Sequence, residues 1–103
     1  MSSQRNVHPA LYKGVNEMYS ENTVVKCASG LHNKQATYFI QKANDFRSSI
    51  WIEAEDRKIN AKSLLGVLSM AIMTGTEVTI SAEGSDEEQA VRTLIDMLQE
   101  DLF

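Results

Sequence analysis

Ile50-Trp51-Ile52-Glu53-Ala54-Glu55-Asp56-Arg57-Lys58-Ile59-Asn60-Ala61-Lys62-Ser63-Leu64 holds a change of hydrophobic period within fifteen residues. Ile50, Ile52 and Ala54 alternate with Trp51, Glu53 and Glu55, the period of a half-buried strand. Asp56-Arg57 reads as a turn into a short strand around Lys58 to Asn60, so the first part is a hairpin. Beyond Ser63 the period becomes helical: Leu64, Val67, Leu68, Ala71 and Ile72 form a stripe, with the Ser63 hydroxyl placed as an N-cap. Gly75 keeps that helix short.

On the N-terminal side, Ala36, Phe39, Ile40 and Ala43 recur at helical spacing and predict an amphipathic helix over Asn33 to Phe46. Gly30 separates it from a first strand expected over Thr23 to Ala28, where Thr-Val-Val is followed by the small Cys27 and Ala28. On the C-terminal side, Val78, Ile80 and Ala82 predict a strand that Gly84 ends. Ser85-Asp86-Glu87-Glu88 has the spacing of a capping box. Ala90, Val91, Leu94, Ile95, Leu98 and Leu102 then stripe a last helix. The order is β-α-β-β-α-β-α, and the economical burial is an α+β two-layer sandwich: a four-stranded antiparallel sheet covered on one face by three helices.

Composition limits the function. The 103 residues carry 43% hydrophobic side chains, enough for one core. A net charge of −4 without a basic patch argues against direct nucleic-acid binding. Met1 to Gly14 lacks the pattern of a signal peptide, and the longest nearly apolar stretch, Leu64 to Met73, is too short to cross a bilayer, so no membrane insertion and a cytoplasmic location are expected. Cys27, the sole cysteine, reads as a small buried side chain in a reducing compartment. Residues 1–18 read as an extension that includes His8 and Pro9, with Met18 a candidate translation start, and residues 19–103 as the domain. No cofactor or metal is implied, because the two histidines and one cysteine lack ligand spacing and no phosphate-binding glycine loop occurs. Asp86-Glu87-Glu88 reads as a helix-start charge cluster, Met70, Met73 and Met97 as core filling, and Trp51 as a residue of the sheet's outer face or of a contact.

Gly30-Leu31-His32-Asn33-Lys34-Gln35-Ala36 carries the candidate chemistry. A histidine at a helix start stands beside backbone N–H groups without intrahelical acceptors and the positive end of the helix dipole, a setting that favours a phosphoryl group. Together with Asn60-Ala61-Lys62-Ser63-Leu64-Leu65-Gly66-Val67-Leu68-Ser69-Met70-Ala71, it resembles the HPr family, the histidine phosphocarriers of the bacterial sugar phosphotransferase system, and their regulatory relative Crh. The similarity spans roughly residues 19 to 102.

This resemblance implies that His32 accepts phosphate from enzyme I and passes it to sugar-specific enzyme II A domains. It places Lys34 where the family has an arginine that steadies the phosphoryl group, and Gln35 where the family has a proline. Ser63 falls on the serine modified by the family's serine kinase/phosphorylase, and Leu64, Leu65 and Leu68 on its docking residues. Two functions follow from the resemblance, a phosphocarrier acting through His32 with regulatory phosphorylation at Ser63, or a Crh-like regulator acting through phospho-Ser63 on a catabolite control transcription factor with weak or no transfer by His32. A third reading is a structural adaptor using the sheet face and the N-terminal extension.

Overall fold

Strand β1 (Tyr19–Val24) opens the architecture of a computed structural model that describes residues 18–27 and 30–100. It is followed by α1 (Asn33–Ala43), β2 (Ser49–Ala54), β3 (Arg57–Asn60), α2 (Leu64–Ser69), β4 (Glu77–Glu83) and α3 (Glu87–Glu100). The expected order is therefore observed. The four strands form one antiparallel sheet in the order β1-β4-β2-β3. The expectations for Ala28, Leu102, His8 and the rest of 1–17 concern residues outside those described.

Alternation sorts the sheet into two faces. Ile50, Ile52, Val78, Ile80 and Ala82 are buried toward the helices, where they meet Phe39, Val67, Val91, Leu94 and Leu98. On the other face, Ser20 donates to the Ser81 hydroxyl and the Thr79 hydroxyl to the Asn22 side-chain Oδ1 across the β1–β4 pair. Trp51 lies half-buried on that face, with the Lys58 ammonium 5.3 Å from its ring centroid.

Four local expectations shift. The first strand lies earlier than Thr23 to Ala28: Tyr19-Ser20-Glu21-Asn22 pairs with β4 although it is polar, because it is an edge strand whose face away from the helices is solvated. The hairpin turn is Glu55-Asp56 rather than Asp56-Arg57, since Ala54 pairs with Arg57 and both turn residues take positive φ, 49° and 69°. Helix α1 stops at Ala43, where the Asn44 N–H donates to the Ile40 carbonyl and the Asp45 N–H to the Lys42 carbonyl, leaving Phe46 outside. Helix α2 stops at Ser69, so Ala71 is exposed beyond it and Ile72 is buried from a loop.

Ala71 has φ 51°, a left-handed conformation just past the C-cap where glycine is the favoured residue. Ala71→Gly is expected to stabilise the fold by about 1 kcal/mol. In thermal unfolding this is a rise of roughly 4 to 8 °C, and an unchanged melting temperature would show that the backbone carries no strain there.

The start of α3 also differs from the capping box expected at Ser85 and Glu88. The reciprocal contact is one residue earlier, with the Gly84 N–H donating to Glu87 Oε1 at 3.1 Å. Asp86 turns away from its own helix and accepts from the Arg47 N–H at 2.8 Å, the Ser48 N–H at 3.0 Å and the Ser48 hydroxyl at 2.5 Å. This carboxylate fastens the start of α3 to the α1–β2 connection. The Ser48 hydroxyl, followed by the two backbone N–H groups, outweighs desolvation and lowers the Asp86 pKa from its ordinary value.

Asp86→Ala is expected to cost about 2 kcal/mol, because it leaves the buried Ser48 without its charged acceptor. Since the folded-state pKa is depressed, the contribution is present above the unfolded carboxylate range and is lost as pH falls through the lower folded value. The difference in urea stability between wild type and Asp86→Ala should therefore shrink below about pH 4. A difference independent of pH would remove the charge from this account.

Candidate functional site

The candidate acceptor loop is held by hydrogen bonds to the segment that follows α2. After β1, the Val25 N–H donates to the Thr76 carbonyl at 2.9 Å and the Gly75 N–H to the Val25 carbonyl at 2.8 Å. The Thr74 hydroxyl donates to the Cys27 carbonyl at 2.6 Å, and the Leu31 N–H to the Ile72 carbonyl at 2.9 Å. Cys27 is buried, as its small neighbours predict. Leu31 is buried too and drives the loop into the core.

Gly30 makes this close approach feasible. Its φ is +65°, and a Cβ there would stand 2.5 Å from the Ile72 carbonyl oxygen and 2.6 Å from Met73 Cα. The chain then enters α1 at His32, whose extended φ and ψ of −88° and −170° mark it as the N-cap residue. The His32 carbonyl accepts from the Ala36 N–H at 2.6 Å, but its side chain makes no capping hydrogen bond and is exposed. A ring not engaged in capping, fixed backbone on both sides and the positive end of an eleven-residue helix coincide at one residue.

Lys34 occupies the first turn of α1 with its side chain exposed, and Gln35 beside it is half-buried. No acidic side chain occupies that turn, so the dipole and the Lys34 charge are not offset from within it. This surface suits an anion. Helices α1 and α2 pack against each other, which puts the second motif on the same layer of the molecule.

Ser63 is the N-cap of α2, its hydroxyl oxygen accepting from the Gly66 N–H at 3.1 Å as its spacing predicts. Gly66 allows the helix to approach β3, where a Cβ would lie 2.5 Å from Ile59 Cγ2. Of the three leucines, Leu64 is 41% and Leu65 81% exposed, whereas Leu68 turns partly into the core. The exposed apolar surface is thus carried by the first turn of α2.

Two residues of this region take places that the sequence patterns do not predict. Arg57, on β3, donates to the Ser69 carbonyl at 3.0 Å and to the Ser69 hydroxyl at 3.1 Å, closing the C-terminal end of α2. Met73 is 60% exposed rather than core filling, while Met97 is buried and Met70 partly buried against the core. Neither has a local signal, because each depends on a chain reversal after α2. Among the described residues there is no cluster of three or more potential metal ligands, and no helix is long and apolar enough to cross a membrane.

Comparison with known proteins accords with this geometry. A family model described as the PTS HPr component phosphorylation site matches residues 19–100. The HPr-like protein Crh of Bacillus subtilis is 40% identical over 85 residues, covering 82% of this chain and 100% of Crh. The HPr-like protein Crh of Halalkalibacterium halodurans is 39% identical over 84 residues, with coverage of 82% and 100%. The phosphocarrier protein HPr of Bacillus anthracis superposes with a TM-score of 0.80 at 40% identity, covering 82% of this chain and 100% of that one. With the sheet order, the helix-start histidine and the match across 19–100 in agreement, this chain belongs to the HPr family.

Proposed function

We propose that this protein is a phosphocarrier of the phosphoenolpyruvate-dependent sugar phosphotransferase system, with His32 as the phosphoryl acceptor. The observation that carries the reading is an exposed His32 ring that its own helix does not use for capping, on a backbone fixed by the Leu31–Ile72 bond. A lone pair on a His32 ring nitrogen attacks phosphorus in line as the bond to the donor breaks, and the N–H groups of the first turn of α1 with Lys34 stabilise the equatorial oxygens. The same steps in reverse pass the group to a sugar-specific acceptor. Exposure serves this role, since two partners must reach the ring.

A Crh-like regulatory reading has its own support. Lys34 and Gln35 stand where the family's carriers have arginine and proline, and an ammonium cannot make the two-pronged guanidinium contact to phosphate. Ser63 is placed at the N-terminus of α2, where an added charge of about −1.5 to −2 is tolerated by the helix dipole without refolding. In this reading phospho-Ser63, next to exposed Leu64 and Leu65, recruits a catabolite control transcription factor.

Labelling separates the two. With enzyme I and phosphoenolpyruvate, the carrier reading expects an acid-labile phosphate that peptide mapping assigns to His32. No label under conditions that label an ordinary HPr would sink it. With the family's serine kinase and ATP, the regulatory reading expects an acid-stable phosphate on Ser63, and its absence would remove that reading.

Lys34→Arg sharpens the carrier reading. Restoring the bidentate contact is expected to raise the rate of acid-labile labelling about tenfold, equivalent to ~1.4 kcal/mol of transition-state stabilisation. An unchanged rate would place Lys34 away from the phosphoryl group.

A further inference from the structure

We propose that Met73 is an oxidation site, at which a hydroperoxide converts the thioether to the sulfoxide and weakens the docking of partner proteins on the His32 face. This inference rests on the phosphocarrier reading and assigns a form of regulation to the same surface. Met73 is 60% exposed, against 38% for Met18 and 5% for Met97. Its backbone lies against Gly30, two residues from His32, and the preceding residue, Ile72, accepts the Leu31 N–H. It therefore puts a flexible apolar side chain in water beside the acceptor loop, on the stretch that follows the exposed Leu64 and Leu65.

An unbranched thioether is suited to adaptable contacts with more than one partner. Oxidation replaces it by a polar, chiral group. The sulfur lone pair attacks the terminal peroxide oxygen, an S–O bond forms as the O–O bond breaks, and water or an alcohol leaves. Sulfur loses two electrons and the peroxide gains them. The resulting sulfoxide must shed water when a partner covers it, so the cost falls on docking and not on the chemistry at His32. Cys27 and Met97, at 0% and 5% exposure, are shielded from the reagent, which favours Met73.

The full chain is treated with hydrogen peroxide, the added oxygen is located by peptide mapping, and binding to enzyme I is measured by calorimetry without phosphoenolpyruvate. The expected result is an added oxygen on Met73 and an affinity about five- to tenfold lower, reversed by methionine sulfoxide reductases. Met73→Leu, compared with its own untreated state, should lose the response, whereas Met18→Leu should keep it. Complete oxidation at Met73 with unchanged affinity would overturn the proposal, as would an equal loss in Met73→Leu. Peroxide-sensitive binding without any labelling of His32 supports the oxidation site and defeats only the carrier reading.

Discussion

His32→Ala is expected to abolish acid-labile phosphorylation, lowering its rate at least a thousandfold, while leaving the fold within about 0.5 kcal/mol of wild type. The loss is large because alanine supplies no nucleophile, while Lys34 and the backbone N–H groups serve in this reading to stabilise the phosphoryl oxygens and not to accept the group. The small structural effect follows from geometry. The His32 side chain is exposed and makes no capping hydrogen bond, and the contacts that fix the loop come from the backbones of Leu31 and Ile72 and from the Thr74 hydroxyl. Radiolabel transfer from phosphoenolpyruvate and urea denaturation on the same preparations check both halves. A variant that loses several kcal/mol would show that the imidazole supports the loop, and a variant that still takes an acid-labile label would move the acceptor elsewhere.

Gly30→Ala is expected to do the reverse, damaging the fold first. A Cβ would meet the Ile72 carbonyl oxygen at 2.5 Å and Met73 Cα at 2.6 Å, and both are backbone atoms that no side-chain rotation can clear. The left-handed φ of +65° adds its own penalty. Overpacking costs about 1 to 3 kcal/mol and the left-handed conformation about 1 to 2 kcal/mol, so a loss of about 2 to 5 kcal/mol is expected. Because relief requires the loop to separate from Ile72, the Leu31–Ile72 bond should weaken and phosphoryl uptake should fall even in the folded fraction. Hydrogen exchange at the Leu31 N–H measures that bond directly. Unchanged protection and stability would mean that the loop can move as a body without disturbing its anchor.

These two variants divide what can be read locally from what cannot. The two periodicities on either side of Asn60-Ala61-Lys62-Ser63 and the stripe Ala36, Phe39, Ala43 are properties of neighbours in the chain, and the elements they predict are present. Ser63 is legible for the same reason, since an N-cap needs only a hydroxyl three residues before its N–H partner, Gly66. His32 at the head of α1 is likewise a matter of position. The missed turn at Glu55-Asp56 lacks the asparagine or glycine that marks such a turn, so its place follows from the pairing of Ala54 with Arg57. Tyr19 to Asn22 fails as a strand by hydrophobic pattern because one face of an edge strand is polar and the other is only half covered by α3.

By itself the sequence determined the number, kind and order of the elements and placed His32 and Ser63 at two helix starts, because periodicity and capping are decided within a few residues. Only the tertiary structure decided that Leu31 meets Ile72, that Met73 lies beside Gly30, that Asp86 turns from its own helix to Ser48, and that Leu65 faces water while Leu68 turns inward. Each of those facts is set either by partners distant in the chain or by which side of a short helix the sheet covers. A hydroxyl, a thioether or a carboxylate carries no local sign of that choice.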